Sequence, residues 1–154
     1  MAAPPPWRYR CYASIVGGGL TRVKTDEIKA WYDRQSKDCQ GKFGGRLRML
    51  RSLPLEEWKW PLFRWLGDDG RGLGELRFLA DRVQQRPLGF RGPEPDVFTL
   101  VFPAKEQSNR FVPRNAIEIA QRLKAEIEAD KEHAIECWLF PDPKPDPSPR
   151  IGGR

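Results

Sequence analysis

The stretch GELRFLADRVQQRPLGF, residues 74–90, decides the fold. Its first half, through Ala80, alternates apolar and polar side chains. Leu76, Phe78 and Ala80 share one strand face, and Glu75, Arg77 and Leu79 share the other. A turn is expected around Asp81 to Gln84, and QRPLGFR (85–91) returns as a second strand. That return is irregular. With Arg86 pointing outward, Leu88 and Phe90 follow it, and Pro87 brings no N–H to the ladder. An edge position or a bulge that re-aims side chains is therefore expected here. Arg77 then projects from a sheet face that the helices leave uncovered.

Reading outward, DVFTLVF (96–102) supplies a further strand, with Phe98, Leu100 and Phe102 toward the core and Val97, Thr99 and Val101 opposite. Upstream, RYRCYASIV (8–16) is rich in β-branched and aromatic residues and stops at GGG, as a first strand would. Thr25 is a suitable N-cap, and Asp26 and Glu27 suit a helix N-terminus. Ile28, Trp31 and Tyr32 give that helix an apolar face. A second helix starts near Ser36, aligns Cys39, Phe43, Leu47, Leu50 and Leu53, and ends at Pro54. Gly44 and Gly45 within it cost about 1 kcal/mol each against alanine, which predicts a close packing contact. Residues 56–73 form an ordered but aperiodic connection held by Trp58, Trp60, Phe63 and Trp65. After Pro113, Ala116, Ile119, Ala120, Leu123 and Ile127 mark a last amphipathic helix.

The order β-α-α-β-β-β-α predicts an α+β domain: a small antiparallel sheet of about four strands covered by a helical hairpin, with a C-terminal helix. Residues 7–135 form the domain, between a disordered leader (1–6) and a proline-rich disordered tail (136–154). The 154-residue length suits one domain, and a net charge of +6 favours an anionic partner, with nucleic acid first. No apolar run approaches the roughly 18 residues of a membrane span, so no membrane partner is expected. The N-terminus lacks the apolar region of a signal peptide. Cys11, Cys39 and Cys137 fit neither a disulfide framework nor a zinc site. They read as reduced packing residues of a cytoplasmic protein.

The charge is uneven. Residues 71–91 hold Arg71, Arg77, Arg82, Arg86 and Arg91 against Glu75 and Asp81, a net of +3. The second helix adds Lys42, Arg46, Arg48 and Arg51. From Glu118 to Glu136 six acids face three bases. Arg46, Arg48, Arg82, Arg91 and Arg110 are candidate RNA contacts, because guanidinium forks match phosphate and exposed aromatics stack on unpaired bases. No Ser-His-Asp set, phosphate-binding glycine loop or paired metal ligands stand out, and Glu75 and Glu106 form no evident carboxylate pair. His133, the sole histidine, reads as a surface residue.

The ordered set GLGELRF (72–78), QRPLGF (85–90), VFTLVFPAKEQSNRFVP (97–113) and AIEIAQRLKAEI (116–127) resembles the RelE/HigB-type toxin superfamily, in particular its phage-derived branch, over roughly residues 25–128. The resemblance implies a RelE-like fold and the toxin of a type II toxin–antitoxin pair. Such a toxin is an endoribonuclease that cuts mRNA, in many members on the ribosome, without metal or other cofactor, by attack of the 2′-hydroxyl on phosphorus. It also implies a cognate antitoxin as partner. On this sequence Arg77 and Arg86 match the family's strand arginines, and Lys105 matches the lysine after the apolar strand. Arg77 and Arg86 would bind the phosphate and transition state. Lys105 would stabilise the leaving oxygen or act as acid or base. The tyrosines are Tyr9, Tyr12 and Tyr32 and the histidine is late, so the resemblance names no general base. A related branch that inhibits DNA gyrase, and a catalytically inactive binding module of the same fold, are the alternatives.

Overall fold

The apolar run VFTLVF extends further than its pattern suggests and becomes the spine of the sheet. In the computed structural model, which describes residues 7–142, the strand covers Val97–Gln107. The first strand, β1 (Arg8–Val16), lies beside it and parallel to it. In chain order the other strands are β2 (Val23–Asp26), β3 (Phe63–Trp65), β4 (Leu73–Leu76), β5 (Phe78–Ala80), β6 (Val83–Arg91), β7 (the Val97–Gln107 spine), β8 (Arg110–Val112) and β9 (Ala134–Glu136). The main path runs β2-β1-β7-β6-β4-β3, with β5 on β6, β8 on β7 and β9 on β1. The helices are α1 (Glu27–Asp33), α2 (Lys37–Arg51), the single turn α3 (Gly67–Gly70) and α4 (Ala116–Ala129).

This corrects the predicted small four-stranded antiparallel sheet under a helical hairpin, and with it the RelE-like arrangement. Among the described residues the sheet has nine strands and is mixed. Two physical causes explain the difference. Strands β3, β8 and β9 have three residues each, too few to show a period of two. The long connection between β1 and β7 allows either direction of pairing, and β1 takes the parallel one.

The sheet is packed on both faces. Helices α1 and α2 cover one face through Ile28, Trp31, Cys39, Phe43, Leu47 and Leu50, against Tyr9, Cys11, Leu76, Phe78, Phe98 and Leu100. Trp58 is buried in that layer, between Trp7, Phe63 and Phe98. On the other face Ala116, Ala120, Leu123 and Ile127 of α4 meet Leu73, Leu88, Phe90, Val101 and Ala104. The face bearing Arg77 is thus partly covered by α4, not left open.

Local signals were followed with small shifts. Asp26, one residue after Thr25, caps α1 by accepting from Lys29 N–H at 2.9 Å. Ser36 caps α2 through Cys39 N–H at 3.0 Å. The close contact predicted at Gly44 and Gly45 is absent, since a Cβ at either would meet nothing within 4 Å. Residues 136–142, placed in the tail by composition, pack on the body. Cys137 and Phe140 are buried in the α1–α2 layer, and Asp142 forms a double hydrogen bond with Arg10 at 2.9 and 2.7 Å. Residues 1–6 and 143–154 lie outside the described residues. Cys11, Cys39 and Cys137 are free and buried.

Candidate functional site

Pro87 organises the site. Strands β4 and β5 pair with β6 in one continuous register, Glu75 with Leu88 and Phe78 with Gln85, so Arg77 lies opposite Arg86. The ladder is interrupted there, where the adjacent Pro87 has no N–H to give. The Arg77 N–H turns to the Leu62 carbonyl instead, at 3.0 Å. Like charges set opposite each other destabilise a sheet unless anions intervene. Glu75 intervenes. It is fully buried, and its carboxylate accepts from Arg77 and, at 3.2 and 3.4 Å, from Arg64, with Arg86 at 3.9 Å.

A second irregularity brings in the other carboxylate. The β6–β7 register shifts between Leu88 and Gly89, which leaves Val101 as an extra residue on β7. Before the shift Phe98 and Leu100 face the α1–α2 layer. After it Phe102, Ala104 and Glu106 face the α4 side with Arg86. The predicted bulge therefore exists, on β7 rather than β6, and it turns Phe102 away from the face first expected for it. Glu106 accepts from Arg86 Nε at 2.9 Å. Arg86, only 3% exposed, has its remaining donors on the Gln85 carbonyl at 2.7 Å and on Gln84 Oε1 at 2.9 Å. Burial lowers its pKa, as does the Arg77 charge. Arg46 reaches in from α2 to the Leu62 carbonyl at 3.0 Å, and burial and the Arg86 charge lower its pKa.

Above these residues is a recess of about 270 Å³ lined by Trp60, Arg64, Arg77, Glu106, Asn109, Arg110 and Phe111. The Arg77 guanidinium lies over the Trp60 ring at 4.1 Å from its centroid. Trp60 is 63% exposed, so its other face meets solvent. The recess combines three guanidinium groups, one carboxylate that is not deeply buried and an aromatic platform.

The structure joins some predicted residues and separates others. Arg77 and Arg110 line the recess, and Arg46 lies close enough to Arg86 for their charges to interact without lining it. Arg86 lies behind the recess and does not line it. Lys105 points to the α2 side, paired across the ladder with Gln85, and its charge acts on Cys39. It shares a neighbouring groove with Arg82. Arg48 lies over Phe140, and Arg91 holds the Pro95 carbonyl beside Trp7, both away from the recess. Sequence reasoning sets Glu75 and Glu106 aside as no evident pair, and it does not find Arg64 or the exposure of Trp60. The Ser-Asn pair between VFPAKEQ and RFV was a readable hairpin signal that places Glu106 near Arg110. Arg64 sits on a three-residue strand and left no signal.

Among the described residues no group of three or more His, Cys, Asp and Glu side chains is placed to hold a metal ion. No described helix is long and apolar enough to cross a membrane. Comparison with family models, curated proteins and solved structures returned no match.

Proposed function

We propose that the recess is the active site of an endoribonuclease acting on single-stranded RNA, as in toxins of type II toxin–antitoxin pairs. The observation that carries this reading is Arg77. Its guanidinium is fixed by a buried carboxylate on one side and an exposed tryptophan on the other, within a recess that holds two further arginines. The reading rests on the site and not on the fold.

A phosphodiester entering the recess meets Arg77, Arg64 and Arg110, and a neighbouring base stacks on Trp60. In the reaction the ribose 2′-oxygen forms a bond to phosphorus and the bond from phosphorus to the 5′-oxygen breaks, leaving a 2′,3′-cyclic phosphate. Glu106 is the proton acceptor for the 2′-hydroxyl, since it lines the recess while Glu75 is enclosed by arginines. Water protonates the departing 5′-oxygen. The added negative charge of the phosphorane is met by guanidinium groups already held in place, which removes the cost of reorganising them. Arg86 acts as a positioning residue for Glu106. Lys105, outside the recess, has no part in the proton transfers. A protein antitoxin with an acidic segment over this face would restrain the activity in the cell by occupying the cations.

Inducible expression with mapping of RNA 5′ ends tests the reading. Growth arrest with new ends in coding sequence is expected, and Arg77→Ala with an unchanged circular dichroism spectrum should abolish both. Ends seen only in translated regions would make the cleavage ribosome-dependent. Arrest with intact RNA and inhibited supercoiling would replace this reading by gyrase inhibition. No arrest, together with tight binding of the protein encoded next door, would replace it by a non-enzymatic binding module.

A further inference from the structure

The recess does not end at its lining. Two reverse turns lie side by side at the same end of the sheet, because Gln84 at the start of β6 pairs with Glu106 near the end of β7. One turn is Asp81–Arg82 and the other Ser108–Asn109, all four residues with φ between 51° and 64°. Such paired left-handed residues make tight two-residue hairpins. The second hairpin is bordered on both sides by open grooves that share residues with the recess or with each other. One groove, of about 390 Å³, contains Arg110, Phe111 and Arg114, and it joins the recess through Arg110 and Phe111. The other, of about 530 Å³, contains Arg82, Gln84, Lys105, Gln107 and Ser108, and it joins the recess through Glu106.

The charges in this second groove are available. Some cations elsewhere on the surface, such as Arg8, Arg10, Arg22, Lys24 and Lys29, form ion pairs. Arg82 and Lys105 are exposed, line one groove together and form no ion pair among the described residues. Gln84, Gln107 and Ser108 add neutral hydrogen-bonding groups between them. The chemistry of the groove is that of a second phosphate subsite: two open cations, amide and hydroxyl donors, and Glu106 as the carboxylate shared with the recess.

We propose that Arg82 and Lys105 form a phosphate subsite for a nucleotide flanking the one in the recess, so that the RNA strand runs from Trp60 through the recess and around the β7–β8 hairpin. This rests on the reading of the recess as an RNA site. It gives Lys105 and Arg82 one shared role, strand binding beyond the scissile phosphate.

The test compares 2′-O-methyl RNA probes that cannot be cleaved, a dinucleotide and an octanucleotide, by fluorescence anisotropy. For a single strand each phosphate contact contributes a salt exponent of about 0.7, which corresponds to about fivefold in affinity at about 0.1 M salt. Arg82→Ala and Lys105→Ala should each weaken the octanucleotide about fivefold and leave the dinucleotide unchanged. Arg77→Ala should weaken both probes. Octanucleotide binding indifferent to Arg82→Ala and Lys105→Ala, or equal losses on the two probes, would overturn the subsite. If Arg77→Ala has no effect on either probe, the recess reading fails instead. Lys105→Arg, which keeps the charge, should retain octanucleotide binding. Loss with that variant as well would mean Lys105 acts through local structure and not through charge.

Discussion

At Trp60 the surface departs from ordinary practice: a tryptophan 63% exposed at the rim of a cationic recess, one face on a guanidinium and the other open. An exposed ring contributes little to folding, whereas a base stacked on an aromatic contributes about 1–3 kcal/mol to single-strand binding. Trp60→Ala should therefore weaken RNA binding by about 1–3 kcal/mol while leaving the urea midpoint unmoved, and Trp60→Phe should recover part of the loss. If binding is unchanged and stability falls, the ring serves only to brace Arg77. Glu75 is the converse case. Its buried carboxylate offsets Arg77 and Arg64, and removing one partner of a buried pair costs about 3–5 kcal/mol. Arg86 retains Glu106 and Arg64 is half exposed, so the expected cost of Glu75→Gln in urea unfolding is near the lower end, about 3 kcal/mol. A loss below about 1 kcal/mol, typical of surface pairs, would show that the arginines hold their positions without it.

Elements with a strong local pattern were legible before the structure. Helix α2 runs from a serine cap with Cys39, Phe43, Leu47 and Leu50 buried, and α4 buries Ala116, Ala120, Leu123 and Ile127, as their spacing requires. The short strands β3, β8 and β9 were not legible, because three residues carry no period and their pairing is decided by tertiary contacts. The same limit hid half of the site. Arg77 and Arg86 stand out in a hairpin, but Glu106 joins them only because Val101 is inserted into β7. That register is protected at Gly89, where an added Cβ would lie 2.5 Å from the Thr99 carbonyl oxygen and 2.6 Å from the Phe98 ring. Gly89→Ala should cost about 1–3 kcal/mol by overpacking, read from chemical denaturation, and a neutral result would mean that β6 slides past β7 freely. The C-terminal segment is a separate element with its own pH dependence. Hydrogen bonding to Arg10, with the charges of Arg10 and Arg8, holds the Asp142 carboxyl below its ordinary value against the opposing effect of burial. A carboxyl depressed in the folded state stabilises it fully above the unfolded value, about 3.9, and that contribution is lost as pH falls through the folded value. Acid titration should then show a loss of stability below about pH 4 that is smaller in Asp142→Asn. An identical acid limb in the variant would mean that Asp142 does not hold the segment.

The whole molecule distributes its net +6 unevenly. Toward α4 and the C-terminal segment several bases are neutralised: Arg22 and Lys24 on Glu132, Lys131 on Glu94, Arg8 on Asp96 and Arg10 on Asp142. Around the recess and the two hairpin turns, Arg77, Arg82, Lys105, Arg110 and Arg114 outnumber three carboxylates: Glu106, which shares their grooves, Glu75, which is paired with Arg77, and Asp81, in the first turn. An excess of one sign at one end attracts a polyanion to that end. The consequence is a salt dependence that can be located. If those five cations each meet a phosphate, log K against log[salt] should fall with a slope of about −3.5, from about 0.7 per contact. Arg82→Ala should reduce the slope by about 0.7. Arg48→Ala, a change of equal charge at a residue stacked over Phe140 and away from the recess, should not reduce it. Equal reductions by the two variants would mean that net charge alone attracts the strand and that the hairpin end has no special claim on it. No reduction by either, with affinity independent of salt, would remove phosphate contacts from the account of this surface.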